Sequence, residues 1–111
     1  MLVVVDGENV RRSRWPNLTQ RELLERTRLW AGREGHDLLV VFDGEAPEQA
    51  GDVASAPHAD DAIVDAVASE SRRVWVATSD RGLRSRLGRA ERLIGGGSFL
   101  ALLPQTPPQK G

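Results

Sequence analysis

Leu2-Val3-Val4-Val5-Asp6-Gly7-Glu8-Asn9 opens with an unbroken apolar run, largely β-branched, that stops at an acid and a glycine. The pattern returns twice. Leu38 to Phe42 stops at Asp43-Gly44, and Val74 to Ala77 stops at Thr78-Ser79-Asp80. Solid apolar runs of this length predict strands covered on both faces, which is the habit of parallel rather than one-sided antiparallel sheets.

Helical spacing fills the gaps between the runs. Thr19 followed by Glu22 forms a capping box, and the spacing predicts a helix from Gln20 to Arg33 with Leu23, Leu24, Thr27 and Trp30 or Ala31 inward. Gly35 is the stop signal. Ala59 to Ser69 reads as a second helix, with Ile63, Val64 and Val67 as its inward stripe, and Arg81 to Leu87 as a short third. Asp6-Gly7-Glu8-Asn9 has the chemistry of a turn, and Arg11 to Asn17 reads as a loop. Glu45 to His58 is expected to be a long loop with a short strand near Val53. Gly95-Gly96-Gly97 should be a flexible turn before a last strand, Phe99 to Leu103. Strands alternating with helices give a three-layer α/β/α domain over residues 1–103 with a mostly parallel central sheet. Residues 104–111, rich in proline, are expected to be a disordered tail.

Composition narrows the function classes. With 111 residues there is room for one core. There is no cysteine, which removes disulfides, zinc–thiolate sites and thiol nucleophiles. No run is long enough to cross a bilayer, so no membrane partner is expected, and a cytoplasmic location is the default. The sole lysine, Lys110, lies in the tail, so mechanisms that need a buried lysine are disfavoured. The net charge of −1 leaves no general basic coat, yet an acidic site beside a basic rim would give the same total.

A parallel sheet points all its strand ends one way, so Asp6, Asp43 and Asp80 share one edge. In such folds the site lies outside the carboxyl ends of the strands, near the switch point. Asp60 begins the middle helix on the same face as Ile63 and Val67, which tilts it over that edge; Asp61 and Asp65 lie on a neighbouring face. Each aspartate alone has an ordinary turn or helix-cap reading. Together they repel and raise one another's pKa values unless a cation is present. Oxygen ligands at this density suit Mg²⁺ or Mn²⁺. Asn9 can curl back to the same edge or serve a plain turn, and Thr78 and Ser79 can hydrogen-bond the carboxylates or cap the following helix.

The motifs resemble those of the NYN domain, YacP-like branch, within the PIN-like nuclease superfamily. Val5-Asp6-Gly7-Glu8-Asn9 is similar to the family's Asp-Gly-x-Asn opening, and Val41-Phe42-Asp43-Gly44 to its second strand. Ala59-Asp60-Asp61-Ala62-Ile63 resembles its helix start, Val76-Ala77-Thr78-Ser79-Asp80 its fourth strand ending, and Gly95-Gly96-Gly97-Ser98 the loop before its last strand. The resemblance covers Leu2 to about Leu103. It implies a ribonuclease that hydrolyses RNA phosphodiester bonds with Mg²⁺ or Mn²⁺. The implied ligands are Asp6, Asp60 and Asp80, with Asp61 as an additional or supporting group and Asn9 as a polar partner. The implied partner is RNA, whether or not a ribosome presents it; the oligomeric state is left open.

Arg11, Arg12 and Arg14 follow the first motif, and Arg81, Arg84, Arg86, Arg89 and Arg92 follow the third. Both clusters should border the acidic edge and contact phosphate, with Arg11, Arg12, Arg14, Arg81 and Arg84 nearest. The alternative is that they are solvated helix faces. Trp15 either stacks on a base or folds onto the core; Trp30 and Trp75 read as packing. Two other functions compete. An aspartyl phosphatase or receiver-like domain lacks its lysine here. A catalytically inert PIN-like module, binding RNA or protein, would be expected to have lost one of the acids, and all are present.

Overall fold

The computed structural model describes residues 1–105. The remainder of the expected tail, 106–111, lies outside the described residues. Five strands form one sheet: β1 Leu2–Asp6, β2 Asp37–Asp43, β3 Val53–Ala56, β4 Val74–Ala77 and β5 Arg92–Ile94. Their order is β3-β2-β1-β4-β5, and every pairing is parallel. Five helices accompany them: α1 Gly7–Arg11, α2 Gln20–Glu34, α3 Ala59–Ser69, α4 Arg81–Arg84 and α5 Gly96–Leu102.

The two-residue alternation of β1 divides the core. Val3 and Val5 face one side, where Val10 of α1, Leu23 and Leu24 of α2, and Phe99 and Leu100 of α5 close over them. Leu2 and Val4 face the other, under Ile63 and Val67 of α3 and Leu83 of α4. Leu2, Val3, Val4 and Val5 are all buried, as a strand sealed on both faces requires.

Local signals fix the helix ends. Thr19 Oγ1 accepts from the Glu22 amide at 3.0 Å, and the Glu22 carboxylate accepts from the Thr19 amide at 3.2 Å. Gly35 ends α2 in the left-handed region at φ 71°, where a side chain would be strained. The 44–52 connection is pinned to α2 by Arg28, which donates to both Asp52 oxygens at 2.8 Å and to Glu48 at 2.9 Å.

The structure corrects the sequence reading in three places. Gly7 to Arg11 is a short helix, not a turn. A Cβ on Gly7 would lie 2.8 Å from the Phe42 ring and 2.9 Å from the Val41 carbonyl oxygen, so glycine lets α1 close on β2. The last strand lies before the glycines, at Arg92–Ile94, and the apolar run after them is α5. Phe99 and Leu103, four apart, both reach the α2-side core, a helical spacing hidden in an apolar run too short to show its period. Finally, the tail does not begin loose at Pro104, because Arg26 Nε donates to its carbonyl at 2.9 Å.

Candidate functional site

The chain leaves β1 toward β2 on one side, while β4 and β5 lie on the other, so the switch point falls between β1 and β4. A cleft of about 660 Å³ opens there, lined by Asp6, Glu8, Asn9, Arg12, Ser13, Asp43, Ala59, Asp60, Ser79, Asp80 and Gly97. It unites the ends of β1 and β2, the loop after β4, and the starts of α1 and α3. Asp6, Asn9, Asp60 and Asp80, the residues expected to carry chemistry, all reach it.

Asp6 is the most enclosed of these carboxylates. Thr78 Oγ1 donates to Asp6 Oδ2 at 2.9 Å and accepts from the Asp80 amide at 3.1 Å. Thr78 is fully buried, and its own amide donates to the Ile94 carbonyl at 2.9 Å. Burial pushes the Asp6 carboxyl pKa above its usual value; the Thr78 hydroxyl and the Asn9 backbone N–H pull it down, and the charges of Asp80 and Asp43 push it further up. Asp80 Oδ1 accepts from the Leu83 amide at 3.0 Å, so Asp80 caps α4 while lining the cleft. Asn9 Oδ1 accepts from the Ser79 amide at 2.8 Å, and Ser79 Oγ accepts from the Gly96 amide at 2.7 Å. This chain of bonds ties α1, the β4–α4 loop and the start of α5 into one wall.

Other expected residues lie elsewhere. Asp61 is outside the cleft lining and accepts from Arg86 at 2.9 Å; the same guanidinium stands 3.7 Å from Asp60. Arg11 turns inward to Glu8 at 2.7 Å and to the Leu18 carbonyl at 3.2 Å, so it braces the fold rather than the rim. Arg12 does line the cleft, 3.4 Å from Glu8. Arg14 and Arg81 are exposed, Arg84 is half-buried, and none of the three lines the cleft. Arg89 donates to the Val67 carbonyl, and Arg92 stacks 5.0 Å from the Trp75 ring centre. Trp30 is buried and Trp75 packs on the same core, as expected. Trp15 is exposed, so it does not fold onto the core.

Glu8, Ser13 and Asp43 line the cleft without having been singled out as site residues. Asp43 carried a signal, since it ends a strand like Asp6 and Asp80. For Glu8, burial raises the pKa, but hydrogen bonds from Arg11 and Gln20, with the Arg11 and Arg12 charges, outweigh it and leave the carboxyl below its usual value. Its partners sit up to twelve residues away, and no spacing in the sequence announces them.

Neither a family model nor a curated protein matches the sequence. Among solved structures, the chain is similar to Rae1 (YacP) from Bacillus subtilis, determined as a W164L mutant. The two share 21% identity at a TM-score of 0.72, over 91% of this chain and 72% of the other. The chain has a YacP-like fold. That fold is the α/β class which the motifs implied, here with an all-parallel sheet.

In this YacP-like scaffold the donor chemistry is of the kind a hard divalent cation takes: the carboxylates of Asp6, Asp43, Asp60 and Asp80 share one cleft, and all offer oxygen donors. Their present positions are looser than a formed centre. Among the described residues, no group of three or more His, Cys, Asp or Glu side chains is gathered closely enough to hold a metal ion. Asp80 is engaged with the Leu83 amide and Asp60 faces Arg86. Among the described residues, no helix is long and apolar enough to cross a membrane.

Proposed function

We propose that this chain is a Mg²⁺- or Mn²⁺-dependent ribonuclease whose site is the acidic cleft at the β1–β4 switch point. The observation that carries the reading is Asp6: a carboxylate half-sunk at a sheet edge, raised in pKa by burial and by two neighbouring acids, on a PIN-like scaffold. A carboxylate sunk in this way is costly in a merely structural role and useful where a cation is to be held.

Asp6, Asp60 and Asp80 would hold the cation, with Asp43 beside them and Asp61 acting only through Arg86. When bound, that cation supplies an activated water and neutralises charge developing on a phosphodiester. The chain's own groups do the rest. Thr78 fixes the Asp6 carboxylate through its hydroxyl. Asn9 has its Oδ1 engaged by Ser79, so its NH₂ is what it can offer a phosphate oxygen. Arg12, at the mouth, draws in the phosphate backbone. The substrate is RNA, free or presented on a ribosome, and the setting is the cytoplasm.

The inert RNA- or protein-binding module is a second reading, favoured by two observations: Asp60 stands against Arg86, and Asp80 caps a helix. Thermal unfolding separates the two. In EDTA and then in a Mn²⁺ or Mg²⁺ series, the ribonuclease reading expects a rise in melting temperature that Asp60→Asn abolishes, together with metal-dependent RNA cleavage. A wild type that neither shifts nor cleaves leaves the inert module.

A further inference from the structure

Among the described residues, Asp60 is the one cleft aspartate with an ion-pair partner. The Arg86 guanidinium stands 3.7 Å from Asp60 and 2.9 Å from Asp61. Asp60 lines the cleft and Asp61 does not. A single side-chain cation therefore straddles the rim, with its tighter contact outside and its looser one on a candidate ligand.

The backbone that carries Arg86 is fixed. Leu83 and Leu87, on either side of it, are buried in the same core as Ile63 and Val67 of α3. The Arg86 amide donates to the Leu83 carbonyl at 2.9 Å, and the Leu87 amide to the Arg84 carbonyl at 3.2 Å. Arg89 donates to the Val67 carbonyl at 2.9 Å, a second tie between this segment and α3. The part left able to move is the side chain: Arg86 is 44% exposed, Asp60 52% and Asp61 60%. The same segment engages another candidate ligand, since the Leu83 amide donates to Asp80 Oδ1 at 3.0 Å. Residues 83–86 thus hold two of the four cleft aspartates from one side.

An exposed ion pair is weak, because water screens it. A divalent cation carries twice the charge of a guanidinium and sits more compactly among carboxylate oxygens, so it outcompetes such a pair. Arg86 need not then stand unpaired, because Asp61 lies outside the lining and keeps its bond. We propose that Arg86 is a tethered counter-ion of the cleft: it neutralises Asp60 until a divalent cation displaces it, Asp61 retains the displaced guanidinium at the rim, and the pair sets the cation concentration at which the site forms. The proposal rests on the metal-dependent reading of the cleft and adds how entry of its cation is gated.

The test uses the whole chain and reads Mn²⁺ binding directly, as loss of the free-ion electron paramagnetic resonance signal. Melting in EDTA verifies that each variant is folded. Arg86→Gln should tighten Mn²⁺ binding about two- to fivefold, the range for losing one exposed ion pair. Arg84→Gln removes the same charge from the neighbouring turn and should leave the affinity near wild type. Asp61→Asn should weaken Mn²⁺ binding in wild type, where it throws Arg86 wholly onto Asp60, and change it little in Arg86→Gln.

Unchanged or weaker Mn²⁺ binding in Arg86→Gln overturns the proposal. Equal tightening by Arg84→Gln also overturns it, by showing a general charge effect. A loss in Asp61→Asn that persists undiminished in Arg86→Gln removes the tether, because Asp61 would then act on the cation itself. The two readings also fail separately. Mn²⁺ binding that Asp60→Asn abolishes and Arg86→Gln leaves alone keeps the metal-dependent reading and removes the gate. Tightening by Arg86→Gln with no RNA cleavage in either protein keeps the gate and removes the ribonuclease. No Mn²⁺ binding by either protein removes both, whereas binding that appears only in Arg86→Gln upholds the gate.

Discussion

Thr78 Oγ1 lies 2.9 Å from Asp6 Oδ2, a bond that joins residues 72 apart in sequence across the β1–β4 switch point. The hydroxyl also accepts from the Asp80 amide, so one buried group sets the positions of two candidate ligands. Thr78→Val keeps the shape and removes both bonds. It should destabilise the domain by about 1–3 kcal/mol, because it leaves enclosed polar groups without partners. RNA cleavage should fall more steeply than that loss of stability explains, while Thr78→Ser restores most of it. Urea unfolding alongside initial cleavage rates measures both, and unchanged cleavage by Thr78→Val would remove Thr78 from the site.

Asp6→Asn should abolish cleavage and yet stabilise the metal-free domain. The sign follows from the raised pKa. A carboxyl whose folded pKa exceeds its unfolded value binds protons more readily when folded, so its ionised form weakens the fold at neutral pH. That penalty disappears as pH falls through the folded pKa toward the ordinary 3.8. Melting temperatures in EDTA should therefore favour Asp6→Asn at pH 7 and converge with wild type in acid. A mutant less stable than wild type at pH 7 would contradict the costly burial of the Asp6 carboxylate on which the functional reading depends.

How much of this was legible follows from the range over which each signal acts. The Thr19–Glu22 capping box and the Gly35 stop are local, and both stand as the sequence indicates. The Asp6, Asp43 and Asp80 strand ends follow from the parallel sheet alone, and they line one cleft. What escaped was set by distant contacts. Arg92–Ile94 is a three-residue edge strand with too few apolar residues to announce itself. Phe99 to Leu103 looked like a strand because an apolar run shorter than two helical turns shows no period. Arg11 follows the first motif as closely as Arg12 does, yet Glu8 and Leu18 draw it inward, and spacing could not separate the two.

The opposite pH behaviour belongs to the Arg28 network. Hydrogen bonds from Arg28 hold the Asp52 carboxyl below its usual range, and Glu48 is lowered by the same guanidinium. A lowered folded pKa gives stability that is present above the unfolded value and lost as pH falls through the folded one. Arg28→Met should lower the melting temperature at pH 7 only modestly, since both carboxylates are open to solvent that screens them. The gap from wild type should narrow steadily below about pH 4, the ordinary range of a free aspartate. Melting curves from pH 7 to acid test this, and a gap independent of pH would assign the loss to packing instead.

Gly7→Ala tests the nature of the first motif. If Gly7 merely served a flexible turn, alanine at the start of a helix would be neutral or better, because alanine is the stronger helix former. The structure makes the opposite prediction. An added Cβ would meet the Phe42 ring at 2.8 Å and the Val41 carbonyl oxygen at 2.9 Å, and the second contact is with backbone, which cannot step aside cheaply. Relief would push α1 off β2 and move Asn9 away from the Ser79 amide. Gly7→Ala should therefore lose about 1–3 kcal/mol, the usual range for overpacking. Cleavage should drop with it, because the wall held by Asn9 and Ser79 shifts. Gly51→Ala, where nothing lies within 4 Å of the new Cβ, is the control and should unfold like wild type. Equal stability of the two variants would show that α1 does not need glycine to close on the sheet.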